Sequence, residues 1–165
     1  MRYLKLLYDN FEEYFCEALV AVMIFSLVTQ FSVRVITGGA VSWAEELSRY
    51  CFIWATYLGA SLAAKKAAHV RITAQFLYAS IRTRLIFRII ADTVWVCFNI
   101  FFIVITADMV REAFLFPEVT ATMGIVKAYV ETIVPIGFML ISLRTIELYI
   151  RNWRQGTLAS LVETL

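Results

Sequence analysis

The residues able to do chemistry in this chain are few, and most stand inside or beside apolar runs. Glu131 lies four residues before Pro135, which lacks the amide that would bond the Glu131 carbonyl. Open backbone beside a carboxylate can, in lipid, hold an ion or proton, or seat a neighbouring helix. Asp92 is a second acid in an apolar segment, readable as a coupling carboxylate or as a structural pairing partner. His69 is the sole histidine, so a haem held by two histidines of one chain is excluded, and beside Lys65 and Lys66 it reads as an interfacial hydrogen-bonding residue. Cys16, Cys51 and Cys97 form no CxxC pair and read as small buried hydrophobes. There is no phosphate-binding glycine loop, no nucleophile elbow and no paired cysteines of a quinone-linked thiol oxidase. Nothing here makes an enzyme, and no cofactor is expected in this chain.

The densest polar group runs Ser42-Trp43-Ala44-Glu45-Glu46-Leu47-Ser48-Arg49-Tyr50. Ser42 followed three residues later by Glu45 has the form of a capping box. Glu45 and Arg49 stand four apart with the acid first, the better order for a helical ion pair. Trp43, Leu47, Tyr50 and Trp54 share one stripe at helical spacing. Tyr50 to Ala64 then carries no charge, and Gly59-Ala60-Ser61 gives the helix a small-residue surface suited to close contact in lipid. A charged cluster opening so apolar a helix needs partners, in this chain or in another.

The elements that carry these groups follow from composition. The chain has 165 residues, 61% hydrophobic and 17% charged, against about 45–50% apolar and 25% charged in soluble domains. Lipid is the natural solvent, and the length accommodates four spans of roughly 20 residues with no soluble domain besides. The expected fold is an all-α integral membrane domain with spans at about 15–36, 50–66, 86–108 and 125–146. Interfacial amphipathic segments are expected as well, one of them over residues 1–14. Gly38-Gly39 should end the first span. Pro135 should open the helix of the last one. A net charge of +2 gives no case for nucleic acid.

Placement of the cations sets the orientation. Eleven of the fifteen Lys and Arg lie at the start (Arg2, Lys5), in the middle connection (Lys65, Lys66, Arg71, Arg82, Arg84, Arg88) and at the end (Arg144, Arg151, Arg154). By the positive-inside rule both termini and the middle connection face the cytoplasm. Those six basic residues are then candidates for contact with anionic lipid headgroups.

The order Glu45-Glu46-x-x-Arg49, Trp54, Gly59-Ala60, His69-Val70 resembles the signature of the small membrane subunit of TRAP transporters, the DctQ type. Pro135-x-Gly137-Phe138 with Arg144 after it agrees, as does Thr120 to Gly124 before the last span. Val126 stands where the family often has proline, and Thr73 where an acid is common. The resemblance implies a subunit without catalysis in the bacterial inner membrane. A large DctM-type subunit carries the substrate and Na+ sites and moves as an elevator, while a periplasmic binding protein delivers an organic acid. Sialic acids and C4-dicarboxylates are family substrates, and overall likeness points to sialic acid. The small subunit widens the fixed scaffold. Trp43, Glu45, Glu46, Arg49, Trp54, Gly59, Ala60, His69, Glu131, Pro135 and Gly137 are then its interface candidates. The competing reading is a self-sufficient four-helix exporter with Glu17 or Glu131 as its proton carboxylate.

Overall fold

A computed structural model describes residues 2–65 and 80–157, with side chains from Phe11 onward. It holds α1 (Arg2–Thr37), α2 (Ser42–Lys65), α3 (Ile81–Leu115), α4 (Lys127–Glu131) and α5 (Ile133–Arg154). The described residues form no sheet, only a lone antiparallel bridge between Val119 and Val126. Phe11–Thr37, Ile81–Leu115 and Lys127–Arg154 are long and apolar enough to cross a bilayer.

Helix α1 runs 36 residues without a break. The expected separate interfacial helix over residues 1–14 is instead the first part of α1. Neither glycine nor proline interrupts the chain before Gly38, so nothing forces a turn. Gly38 then stops the helix as expected, with φ +69° and its amide donating to the Arg34 carbonyl at 3.0 Å. Helix α2 folds back along α1. Cys16 Sγ donates to the Ala55 carbonyl at 3.6 Å, and Phe15 meets Trp54 edge to face at 6.3 Å. The capping box at Ser42 does not form. Ser42 is already helical, and the Glu45 amide donates to the Val41 carbonyl at 3.4 Å.

Ser80 caps α3 by accepting from the Thr83 amide at 3.3 Å. Arg82, Arg84 and Arg88 therefore lie in the opening turns of a helix and not in a connection. Lys66, His69 and Arg71, with Thr73, lie outside the described residues.

Helix α5 is the element the others share: α2 packs along it, and so does α3. Gly137 makes the first contact possible, since a Cβ there would lie 2.5 Å from Tyr57 Cδ1. Tyr57 meets Phe138 edge to face and Phe102 meets Phe138 at a tilt, joining the three helices at centroid distances of 5.7 and 5.4 Å. In the most apolar window of α1 only 6% of residues are buried, against 39% in that of the α4–α5 segment. Phe25, Phe31 and Ile36 are among the exposed residues of α1, and Val94, Phe101 and Val104 among those of α3. Pro135 acts as its chemistry requires. The helix is interrupted at Thr132, next to the Glu131 carbonyl that has no partner amide, and α5 restarts at Ile133.

Candidate functional site

Polar groups gather at the two ends of the helices. At the end formed by residues 38–41 and 116–126, called here the loop end, Arg49 and Glu45 make the expected i,i+4 pair at 3.4 Å. Both side chains are mostly exposed, so the pair contributes little. Gln30 of α1 also donates to Glu45, at 3.4 Å. Glu46 is differently engaged. Its Oε1 accepts from the Tyr50 hydroxyl at 2.5 Å. Its Oε2 accepts from the Thr122 amide and the Met123 amide, both at 3.2 Å, and from the Thr122 hydroxyl. The Thr122 hydroxyl, then the Tyr50 hydroxyl, hold the Glu46 carboxyl at about 2, well below the usual carboxylate range.

The segment that receives Glu46 is itself closely bonded. The Thr120 amide donates to the Ile125 carbonyl at 2.8 Å, the Lys127 amide to the Glu118 carbonyl at 2.9 Å, and the Ile125 amide to Thr120 Oγ1 at 3.0 Å. Gly124 turns the chain with φ +67°, a conformation that glycine adopts without steric cost. Glu118 and Lys127 close the turn with an exposed ion pair at 2.7 Å, and Lys127 draws the Glu118 carboxyl below its usual range.

The opposite end, which holds the start of α1 and the end of α5, buries two ion pairs. The Arg144 side chain is 7% exposed. It donates to Glu12 Oε1 through Nε at 3.0 Å and Nη2 at 2.5 Å, and to Glu147 Oε2 through Nη1 at 2.7 Å. Arg88 and Asp92 form a buried pair on α3 at 3.8 Å, and the Tyr149 hydroxyl of α5 donates to Asp92. Asp92 is thus a structural pairing residue in this arrangement. Glu12, Glu147 and Tyr149 were not singled out by the sequence reading. The signal available was Arg144 itself, a cation in a long apolar helix that needs an acid. Its partner lies 132 positions away, beyond any helical spacing rule.

The interface candidates divide by exposure. Trp43 is half-exposed, and Glu45, Arg49 and Glu131 are exposed. Trp54, Gly59 and Gly137 face other parts of this chain: Phe15, Cys16 and Tyr57 respectively. Ala60, Lys65 and Pro135 are partly covered. Among the described residues no three His, Cys, Asp or Glu side chains gather in a way that could hold a metal ion.

Residues 23–155 match the profile of a family described as tripartite ATP-independent periplasmic transporters, DctQ component. The chain belongs to this family. It is 24% identical over 144 residues to the isethionate TRAP transporter permease protein DctMQ of Oleidesulfovibrio alaskensis, a match covering 84% of this chain and 23% of that protein. It is 30% identical over 73 residues to the sialic acid TRAP transporter small permease protein SiaQ of Vibrio cholerae, covering 44% of this chain and 42% of that one. The matched regions therefore span less than half the length of either relative. The DctQ-family chain is a multi-pass membrane component of a transporter, not an enzyme.

Proposed function

We propose that this chain is the non-catalytic small subunit of a sodium-coupled TRAP importer, packed against a large elevator-type DctM subunit as part of the fixed scaffold. Family membership supports the role, together with the exposed apolar flanks of α1 and α3. The observation that carries the scaffold reading is the spending of buried charge. Arg144 is tied to Glu12 across helices, and Asp92 is paired with Arg88 on its own helix and bonded by Tyr149 of α5, which leaves no buried carboxylate array among the described residues to carry a coupling ion.

In this reading the chain spans the bacterial inner membrane four times. Both termini are cytoplasmic, and the loop end faces the periplasm, where the binding protein arrives. Uncharged residues 50–64 of α2 extend about 22 Å at 1.5 Å per residue, short of a full hydrocarbon core, so α2 crosses with the help of its flanking polar turns. Trp43, Glu45 and Arg49 present the polar surface nearest the periplasmic side, and Arg82 with its basic neighbours meets anionic headgroups. The cargo is an organic acid. One relative is named for sialic acid and another for isethionate, both organic anions, and sialic acid or a C4-dicarboxylate is the proposed substrate class.

Two experiments test this. Affinity purification of the chain in mild detergent should bring down a large multi-pass protein in fixed stoichiometry. Vesicles holding the chain alone should accumulate no organic acid under a sodium or proton gradient, and uptake should need both subunits and the binding protein. Concentrative transport by the chain alone would replace the scaffold reading with the exporter.

A further inference from the structure

The Glu46 contact joins residues 76 and 77 positions apart and has an unusual composition. The bonds to the carboxylate oxygen that reaches the loop come from no cation, although Lys127 lies within electrostatic range of Glu46. That oxygen meets two consecutive backbone amides, of Thr122 and Met123, and the hydroxyl of Thr122. Successive amides converging on one point form a concave site for an anion, their partial positive charges acting together. The Thr120 side chain also faces Glu46, and further bonds that do not involve Glu46 shape the site. Thr120, which is 4% exposed, bonds Ile125 twice, once through its amide and once through its hydroxyl oxygen. Gly124 and the Glu118–Lys127 pair close the turn from outside.

From this geometry we infer that residues 120–124 form a backbone carboxylate receptor whose resident ligand is Glu46, and that the same receptor accepts a small free carboxylate when the Glu46 side chain is removed. Glu46 is a tethered ligand. It is carried on a helix that holds it in place, so its effective concentration is set by the fold and not by what is dissolved. The native receptor is consequently closed to outside carboxylates. Its role is to fix the start of α2 to the turn that opens the last helix. The contact lies within one chain and stands or falls independently of what that chain assembles with.

Hydrogen exchange of the purified full chain reads the receptor at the Thr122 and Met123 amides. Glu46→Ala should speed exchange of the 118–126 peptide by roughly tenfold or more, leaving α5 peptides unchanged. Sodium formate at about 100 mM, chosen to approach the concentration a tether supplies, should return most of the protection in Glu46→Ala. Sodium chloride at equal ionic strength should not. The native chain should respond to neither salt. Unchanged exchange in Glu46→Ala, equal action of chloride and formate, or formate protection of the native chain would each overturn the inference. Should Glu46→Ala fail to fold, Glu46→Gln retains one acceptor oxygen in nearly the same volume. It should exchange at an intermediate rate, and a rate equal to native would overturn the role of the carboxylate charge.

Discussion

The two ends of this protein use charge in opposite ways. At the loop end, Glu45, Arg49, Glu118 and Lys127 lie largely in the open, and Glu46 is bonded by backbone amides and hydroxyls and not by a cation. At the other end, Arg144 with Glu12 and Arg88 with Asp92 are side chains of roughly 10% exposure or less, each cation matched to an acid. The first set shapes a turn, and the second ties α1 to α5 and, through Tyr149, α3 to α5. The difference teaches where damage spreads. Removing an exposed partner leaves a charge that water can take over. Removing a buried one strands a charge in a medium that cannot solvate it.

The largest effect should come from Arg144→Met, which leaves Glu12 buried opposite an apolar side chain. Loss of stability should be about 3–5 kcal/mol, the usual result of breaking a buried pair. Thermal unfolding of the purified chain reads it, and adding Glu12→Gln should recover part of the loss. A double variant no better than Arg144→Met would break the comparison.

Asp92→Asn should follow. It leaves Arg88 without its carboxylate but preserves a hydrogen-bond acceptor for the Tyr149 hydroxyl. Its loss should fall below that of Arg144→Met. A cycle with Tyr149→Phe should show coupling in the range of about 0.5–3 kcal/mol expected for residues in contact. Additive effects would mean that the α3–α5 tie is not carried by this bond.

Arg49→Ala should change the stability of the isolated chain by no more than about 0.5 kcal/mol, as an exposed site away from the core. If Arg49 meets the large subunit, uptake by the assembled transporter should nevertheless fall while substrate preference stays the same. A melt shifted as far as that of Arg144→Met would erase the contrast between the ends.

The smallest effect is that of pH on the Glu46 contact. A carboxyl held at about 2, below its ordinary 4.5, contributes stability that is complete above the ordinary value and is lost as pH falls through the lowered one. Thr122 and Met123 should therefore keep their protection, corrected for intrinsic exchange, from pH 7 down to about 5 and lose it only in strong acid. Loss near pH 5 would place Glu46 among ordinary surface carboxylates.

Much of the architecture was legible because it is local. The helix stop at Gly38, the opening before Pro135 and the Glu45–Arg49 pair each rest on residues within five positions of one another. The long apolar runs announced lipid, and their length set where helices would lie. What could not be read was pairing at a distance. Spacing rules connect Glu46 to Tyr50 but not to Thr122, and Arg144 to Glu147 but not to Glu12. The continuity of α1 was missed for a related reason. Mixed charge over residues 1–14 resembles a segment lying on the membrane surface, and only the Arg144 contact shows Glu12 drawn inward. Gly59 likewise offered a contact surface without naming its occupant, Cys16.

The helix that α2 and α3 share follows both of them in the chain. Helices α1 and α2 complete their mutual hairpin as soon as both are made, whereas α3 finds its main neighbour only in α5, made after it. On the ribosome, therefore, α3 must wait in the bilayer with Asp92 lacking the hydroxyl that later bonds it. A polypeptide halted before residue 127 would hold a hairpin and a third helix without its main neighbour.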